Sequence, residues 1–171
     1  MEITPLQKEF LKLAVVQQYS YDEIETILNI PRKELSLWWN NLKDTREKLS
    51  KIRRIWLSKN PTIDLTKEEQ CNKFYDFKNW FELSKKECYY CHISEKELKV
   101  LWEKDPFLTK RKRGKKLEIE RKVPNQPYLD IENLVYSCYW CNNGKTDTFT
   151  ESEFKEIGQV ISKIWKKRLL H

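Results

Sequence analysis

Two cysteine pairs, Cys88-x-x-Cys91 and Cys138-x-x-Cys141, constrain this chain more than any other feature. Each pair offers two thiolates from one tight turn, and four thiolates complete the tetrahedral shell of a zinc ion. A closed shell leaves no position for water, so the expected zinc is structural and its binding energy holds neighbouring elements together. A redox dithiol would give no reason for the second pair. The chain shows no run of about 18 apolar residues and no charged-then-apolar leader pattern, which predicts a soluble cytoplasmic protein with no membrane partner. In that compartment paired cysteines point to metal before disulfide. Cys71 has no partner at metal spacing and reads as a buried apolar residue. His92 follows the first pair directly and reads as a neighbour of the zinc shell or a surface residue, the other histidine being the terminal His171.

Between the pairs, Leu117 and Ile119 alternate with Glu118 and Glu120, the period-two pattern of a half-buried strand with two carboxylates on its other face. Residues 133–137 read as the return strand. Cys138-x-x-Cys141 then leads into a short helix that presents Asn142 and Lys145 one turn apart. The implied order is strand, strand, short helix.

Residues 86–165 resemble the HNH, or ββα-metal, endonucleases in the variant stapled by a four-cysteine zinc site. The family's acidic residue, histidine and later proline lie over Glu120, Arg121 and Pro124; its asparagine before an apolar strand lies over Asn133; its Cys-x-x-Cys-Asn-x-x-Lys lies over Cys138 to Lys145. By that resemblance Glu120 and Asn142 hold a catalytic magnesium or manganese ion through oxygen, Asn133 braces the loop between the strands, and Lys145 sits near a phosphate. The family's general-base histidine is here Arg121, which stays protonated at any working pH and serves instead as a phosphate clamp. The base is then Glu118, the hydroxide on the metal, or a tyrosine such as Tyr128 or Tyr136.

A net charge of +7 is compatible with a polyanionic partner, and its distribution is more telling. Lys110, Arg111, Lys112, Arg113, Lys115 and Lys116 crowd into seven residues just before the carboxylate strand. Such a run is often only a solvated loop, but beside a phosphodiester site it suits phosphate contact.

Toward the N-terminus, Thr4-Pro5 opens one helix, and Ser20-x-x-Glu23 is a capping box for a second with Ile24, Ile27 and Leu28 on one face. A turn at residues 29–31 leads to a third helix with Leu35, Trp38 and Leu42 inward. This segment resembles the helix-turn-helix of sigma-factor and transposase DNA-binding domains, which implies Arg32, Lys33, Ser36, Trp39 and Asn40 as groove-facing residues. A basic helix follows to Asn60-Pro61. The aromatic stripe Phe74, Phe77, Trp80 and Phe81 reads as core, and Thr150-x-x-Glu153 opens a last helix whose apolar face holds Phe154, Ile157, Val160, Ile161, Ile164 and Trp165.

The expected fold is α+β and mainly helical: a helix-turn-helix domain with a connector helix over residues 1–58 and a zinc-stapled ββα-metal domain over 59–171. The expected function is a metal-dependent endonuclease acting on DNA, double-stranded by preference, as a possible homodimer, in a bacterial or phage-infected cell. The alternative is a zinc-containing DNA-binding regulator or architectural protein without catalysis.

Overall fold

The structure, a computed structural model, describes residues 3–106, 108–109 and 112–170, and the chain divides into two compact units, Met1–Leu83 and Ser84–His171. In the first unit, α1 (Pro5–Leu11) starts at Thr4, whose hydroxyl accepts from the Gln7 amide while the Gln7 side chain accepts from the Thr4 amide. The helix widens into a π-helical turn over Lys12–Gln17 and stops where Gln18 turns left-handed. The Ser20/Glu23 capping box opens α2 (Tyr21–Leu28). Asn29 then takes a left-handed conformation, which asparagine tolerates, and Pro31 leads into α3 (Arg32–Asn41).

α4 (Lys43–Lys59) and α5 (Glu68–Leu83) complete this unit around Phe10, Ile24, Leu35, Ile52, Trp56, Phe74 and Phe77. α5 belongs to the first unit, its aromatic stripe packing on α4 with the Trp56 and Phe77 rings 4.8 Å apart. Ile27 is exposed although Ile24 is buried.

The second unit contains α6 (Glu95–Lys104), a two-stranded antiparallel sheet of β1 (Glu118–Arg121) and β2 (Leu134–Ser137), α7 (Tyr139–Lys145) and α8 (Glu151–Leu170). A capping box joining Ser94 and Glu97 starts α6, and Thr150 with Glu153 starts α8. The core gathers the four paired cysteines with Tyr90, Ile93, Leu98, Leu101, Phe154 and Trp165.

α8 buries a narrower face than its sequence suggests. Phe154, Gly158 and Trp165 are inside and Ile161 is at the edge, whereas Ile157, Val160 and Ile164 are exposed. Gly158 is the crossing point: a Cβ there would lie 2.4 Å from the Tyr90 carbonyl oxygen, so the helix backbone rests on the first cysteine turn. Among the described residues, no helix is long and apolar enough to cross a membrane. Gly158→Ala is therefore expected to lower stability by about 1–3 kcal/mol by overpacking. Its exposed neighbour substituted as Gln159→Ala should stay within about 0.5 kcal/mol. Thermal unfolding of the two variants checks the difference.

Candidate functional site

Each cysteine pair sits in a closed backbone turn. The Cys88 amide donates to the Ile93 carbonyl at 2.9 Å and the His92 amide to the Cys88 carbonyl at 2.8 Å, with His92 left-handed at φ 61°. Cys138 caps α7, and the Asn142 amide donates to its carbonyl at 2.9 Å. The four sulfurs are buried and lie within 4.8 Å of one another, with Cys91 and Cys138 Sγ 3.6 Å apart. A disulfide would require about 2.05 Å. Four sulfurs around a tetrahedral zinc at about 2.3 Å are separated by about 3.8 Å, close to the Cys91–Cys138 separation and below the 4.8 Å that bounds the whole cluster.

The chemistry of the donor set agrees with that spacing. Hydrogen bonds from Cys138, Cys141 and Cys91 hold the Cys88 thiol far below its usual pKa, while contacts with Cys138, Cys88 and Cys91, together with burial, push Cys141 far up. Thiolates packed this closely repel one another in a poorly screened interior. Only a central positive charge lets all four ionise. No other group of three or more His, Cys, Asp or Glu ligands is gathered among the described residues.

The strand face beside this cluster carries the carboxylates. Asn142 donates from Nδ2 to Glu118 Oε2 at 2.5 Å, a contact that the sequence did not signal. Register supplies the reason. Glu118 stands opposite Ser137, the residue before Cys138, so α7 starts beside that end of β1, while Glu120 stands two residues along, opposite Val135. Glu120 Oε1 accepts from the Arg121 amide at 2.9 Å.

Asn133 is 3% exposed and pairs its whole amide with Val123: Oδ1 accepts from the Val123 amide at 2.8 Å and Nδ2 donates to its carbonyl at 3.0 Å. The loop leaving β1 is thereby tied to the residue entering β2. Arg121 turns into the same loop, donating from Nη1 to the Gln126 carbonyl at 2.9 Å with its guanidinium 4.4 Å from the Tyr128 ring centre, and its Nε is buried without a hydrogen-bond partner. Lys145 is 0% exposed and its Nζ likewise has no hydrogen-bond partner. Tyr136 is buried beneath Lys86, whose Nζ donates to the phenolic oxygen, and burial pushes its pKa up.

In the first unit, Lys33 and Asn40 are exposed on α3 beside Leu37 and Asn41. Ser36 is exposed but donates to the Arg32 carbonyl at 2.9 Å, and Arg32 pairs with Asp22 at 2.7 Å across the turn. Trp39 is half-buried, edge-on to Phe10 and Tyr21, with the Arg46 guanidinium 4.0 Å from its ring centre; it is bound into this packing. Lys112, Arg113, Lys115 and Lys116 are exposed, Lys115 lying 5.0 Å from the Trp102 ring centre. Lys110 and Arg111 lie outside the described residues.

Sequence reasoning overlooked the Glu118–Asn142 pair and the Ser94 capping box. The second was signalled by the Ser94-x-x-Glu97 spacing; the first had no local signal, because it depends on strand register.

A β-hairpin followed by a short helix, pinned by four buried cysteines and carrying two carboxylates on the strand, defines the second unit as a cysteine-stapled ββα module. Among solved structures, the chain is similar to the rare-cutting HNH restriction endonuclease PacI, described for an extraordinary mechanism of DNA perturbation, at 26% identity and a TM-score of 0.50 over 69% of this chain and 81% of that one. No protein-family model and no curated protein matches this sequence.

The staple has a direct test. Elemental analysis is expected to find one zinc per chain, and Cys141→Ser to lose it together with at least about 10 °C in Tm, because binding of a structural zinc is folding free energy. Zinc-free protein with unchanged Tm would refute the assignment.

Proposed function

We propose that this protein is a metal-dependent DNA endonuclease of the HNH type. The observation that carries the reading is the Asn142–Glu118 contact, which brings the short helix's amide to the carboxylate face of the strand over the cysteine staple. The likeness to an HNH restriction endonuclease agrees with it. Glu120 and the side-chain carbonyl oxygen of Asn142 would offer hard oxygen donors suited to magnesium or manganese. Such an ion, when bound, polarises the scissile phosphate and offsets its developing charge.

The chain's own residues supply the remaining work. Asn133 fixes the loop that carries Arg121 and Tyr128, so both side chains are held beside the strand end. Arg121 cannot accept a proton; its guanidinium binds phosphate oxygen and stabilises negative charge as it builds. Tyr136 is excluded as proton acceptor by its burial and its bond to Lys86. That leaves Glu118, one of whose oxygens is occupied by Asn142, and Tyr128 as the side chains to take the proton from the attacking water.

The test is nicking of supercoiled plasmid with magnesium or manganese. Wild type is expected to cleave, Glu120→Ala to lose at least about 100-fold, and either Glu118→Gln or Tyr128→Phe to lose about 100- to 10,000-fold, identifying the base. An inert wild type alongside a cleaving Arg121→His variant would make this a DNA-binding protein that has lost catalysis.

The first unit serves the nuclease as a DNA-binding module of helix-turn-helix type. The exposed row Lys33, Leu37, Asn40 and Asn41 on α3 supports this, since asparagine can pair with adenine in the major groove. Lys33→Ala should weaken duplex binding uniformly and reduce the salt slope by about one unit, whereas Asn40→Ala should chiefly alter sequence preference. Binding isotherms over a range of salt that show neither effect would reduce this unit to a scaffold.

A further inference from the structure

α8 leaves an apolar stripe uncovered. Ile157, Val160 and Ile164 are 36%, 57% and 44% exposed and follow one another at intervals of three and four residues, the spacing of a helix seam that packs against a second helix. The buried line of the helix is a different one, Phe154, Gly158 and Trp165, and the stripe lies at its margin.

Charge distribution says what covers the stripe. In the first half of α8 the exposed Glu153 and Glu156 are acidic, and the half-buried Lys155 is taken up by its ion pair with Glu151; the exposed charges of the second half, Lys163, Lys166, Lys167 and Arg168, are basic. Glu153 and Lys167 continue the stripe at its two ends, seven residues before and seven after Val160, about 10 Å along the axis in each direction. We infer that α8 is a self-docking surface, on which the α8 of a second copy of this chain lies antiparallel about a two-fold axis passing by Val160.

In that arrangement Val160 meets its own copy, Ile157 meets Ile164, Glu156 faces Lys163 and Glu153 faces Lys167. Each contact occurs twice, as a two-fold interface requires. A parallel pair would instead oppose Glu156 to Glu156 and Lys163 to Lys163. The Glu153 carboxylate already accepts from Thr150 at the helix start, yet it remains exposed and has lone pairs free for a lysine. The docked particle carries two ββα modules related by a two-fold axis, the symmetry relating the strands of a duplex. That benefit rests on the nuclease reading; the docking does not.

Sedimentation velocity of the full, metal-loaded chain at about 1–100 μM tests the inference. Wild type is expected at twice the 20.9 kDa chain mass at the upper end of that range. Val160→Glu, a change at an exposed position, should raise the dimer dissociation constant at least about 100-fold, with circular dichroism and zinc content as controls for folding. Lys163→Glu should weaken pairing about 5- to 10-fold, and Glu156→Lys combined with Lys163→Glu should restore it, because the exchange re-forms both opposed pairs only when the helices run antiparallel. A wild type that stays monomeric at about 100 μM, a dimer indifferent to Val160→Glu, or a double exchange that fails to recover pairing overturns the proposal.

Discussion

Four buried sulfurs within 4.8 Å of one another are the constraint on which the second unit depends. Thiolates at that separation repel strongly in a poorly screened interior, and thiols alone supply only weak hydrogen bonds to hold two distant chain segments together. A tetrahedral cation reverses the sign of the interaction. The turn at Cys88 and the start of α7 at Cys138 then become one rigid object, although each is only a few residues long.

Everything that positions the carboxylate face is hung on that object. β2 runs directly into Cys138, so the staple fixes where α7 begins, and α7 in turn sets which strand carboxylate meets Asn142. On the other side, α8 presses its glycine against the Tyr90 carbonyl within the first cysteine turn, and Phe154 meets the Tyr90 ring edge-on at 5.1 Å. A two-stranded sheet is marginal by itself in water. Here the hairpin is braced by the four-cysteine cluster that β2 runs into and by Asn133 across its loop.

The first unit has a different logic, resting on aromatic packing and helix caps with no metal cluster among its described residues. Phe10, Tyr21, Trp38 and Trp39 form an edge-to-face cluster over α1 to α3, while Trp56 and Phe77 lock α4 to α5. Trp39, which the resemblance to a helix-turn-helix implied as groove-facing, is thereby drawn into the scaffold, and Lys33, Leu37, Asn40 and Asn41 stay exposed on α3.

What the sequence determined by itself was local. Capping boxes at Ser20 and Thr150, the cysteine turns and the alternation of Leu117, Glu118, Ile119 and Glu120 are short-range patterns whose energetics act within a few residues, and each is present where its spacing placed it. Tertiary structure decided the rest, because those outcomes depend on which surfaces meet. Strand register put Glu118 against Asn142; burial took Lys145 and Tyr136 out of reach of solvent; α5 joined the first unit through Phe77. On α8, one helix periodicity held two apolar lines, and only packing against the cysteine turn selected Phe154, Gly158 and Trp165 over Ile157, Val160 and Ile164, since only a glycine line lets the helix come that close.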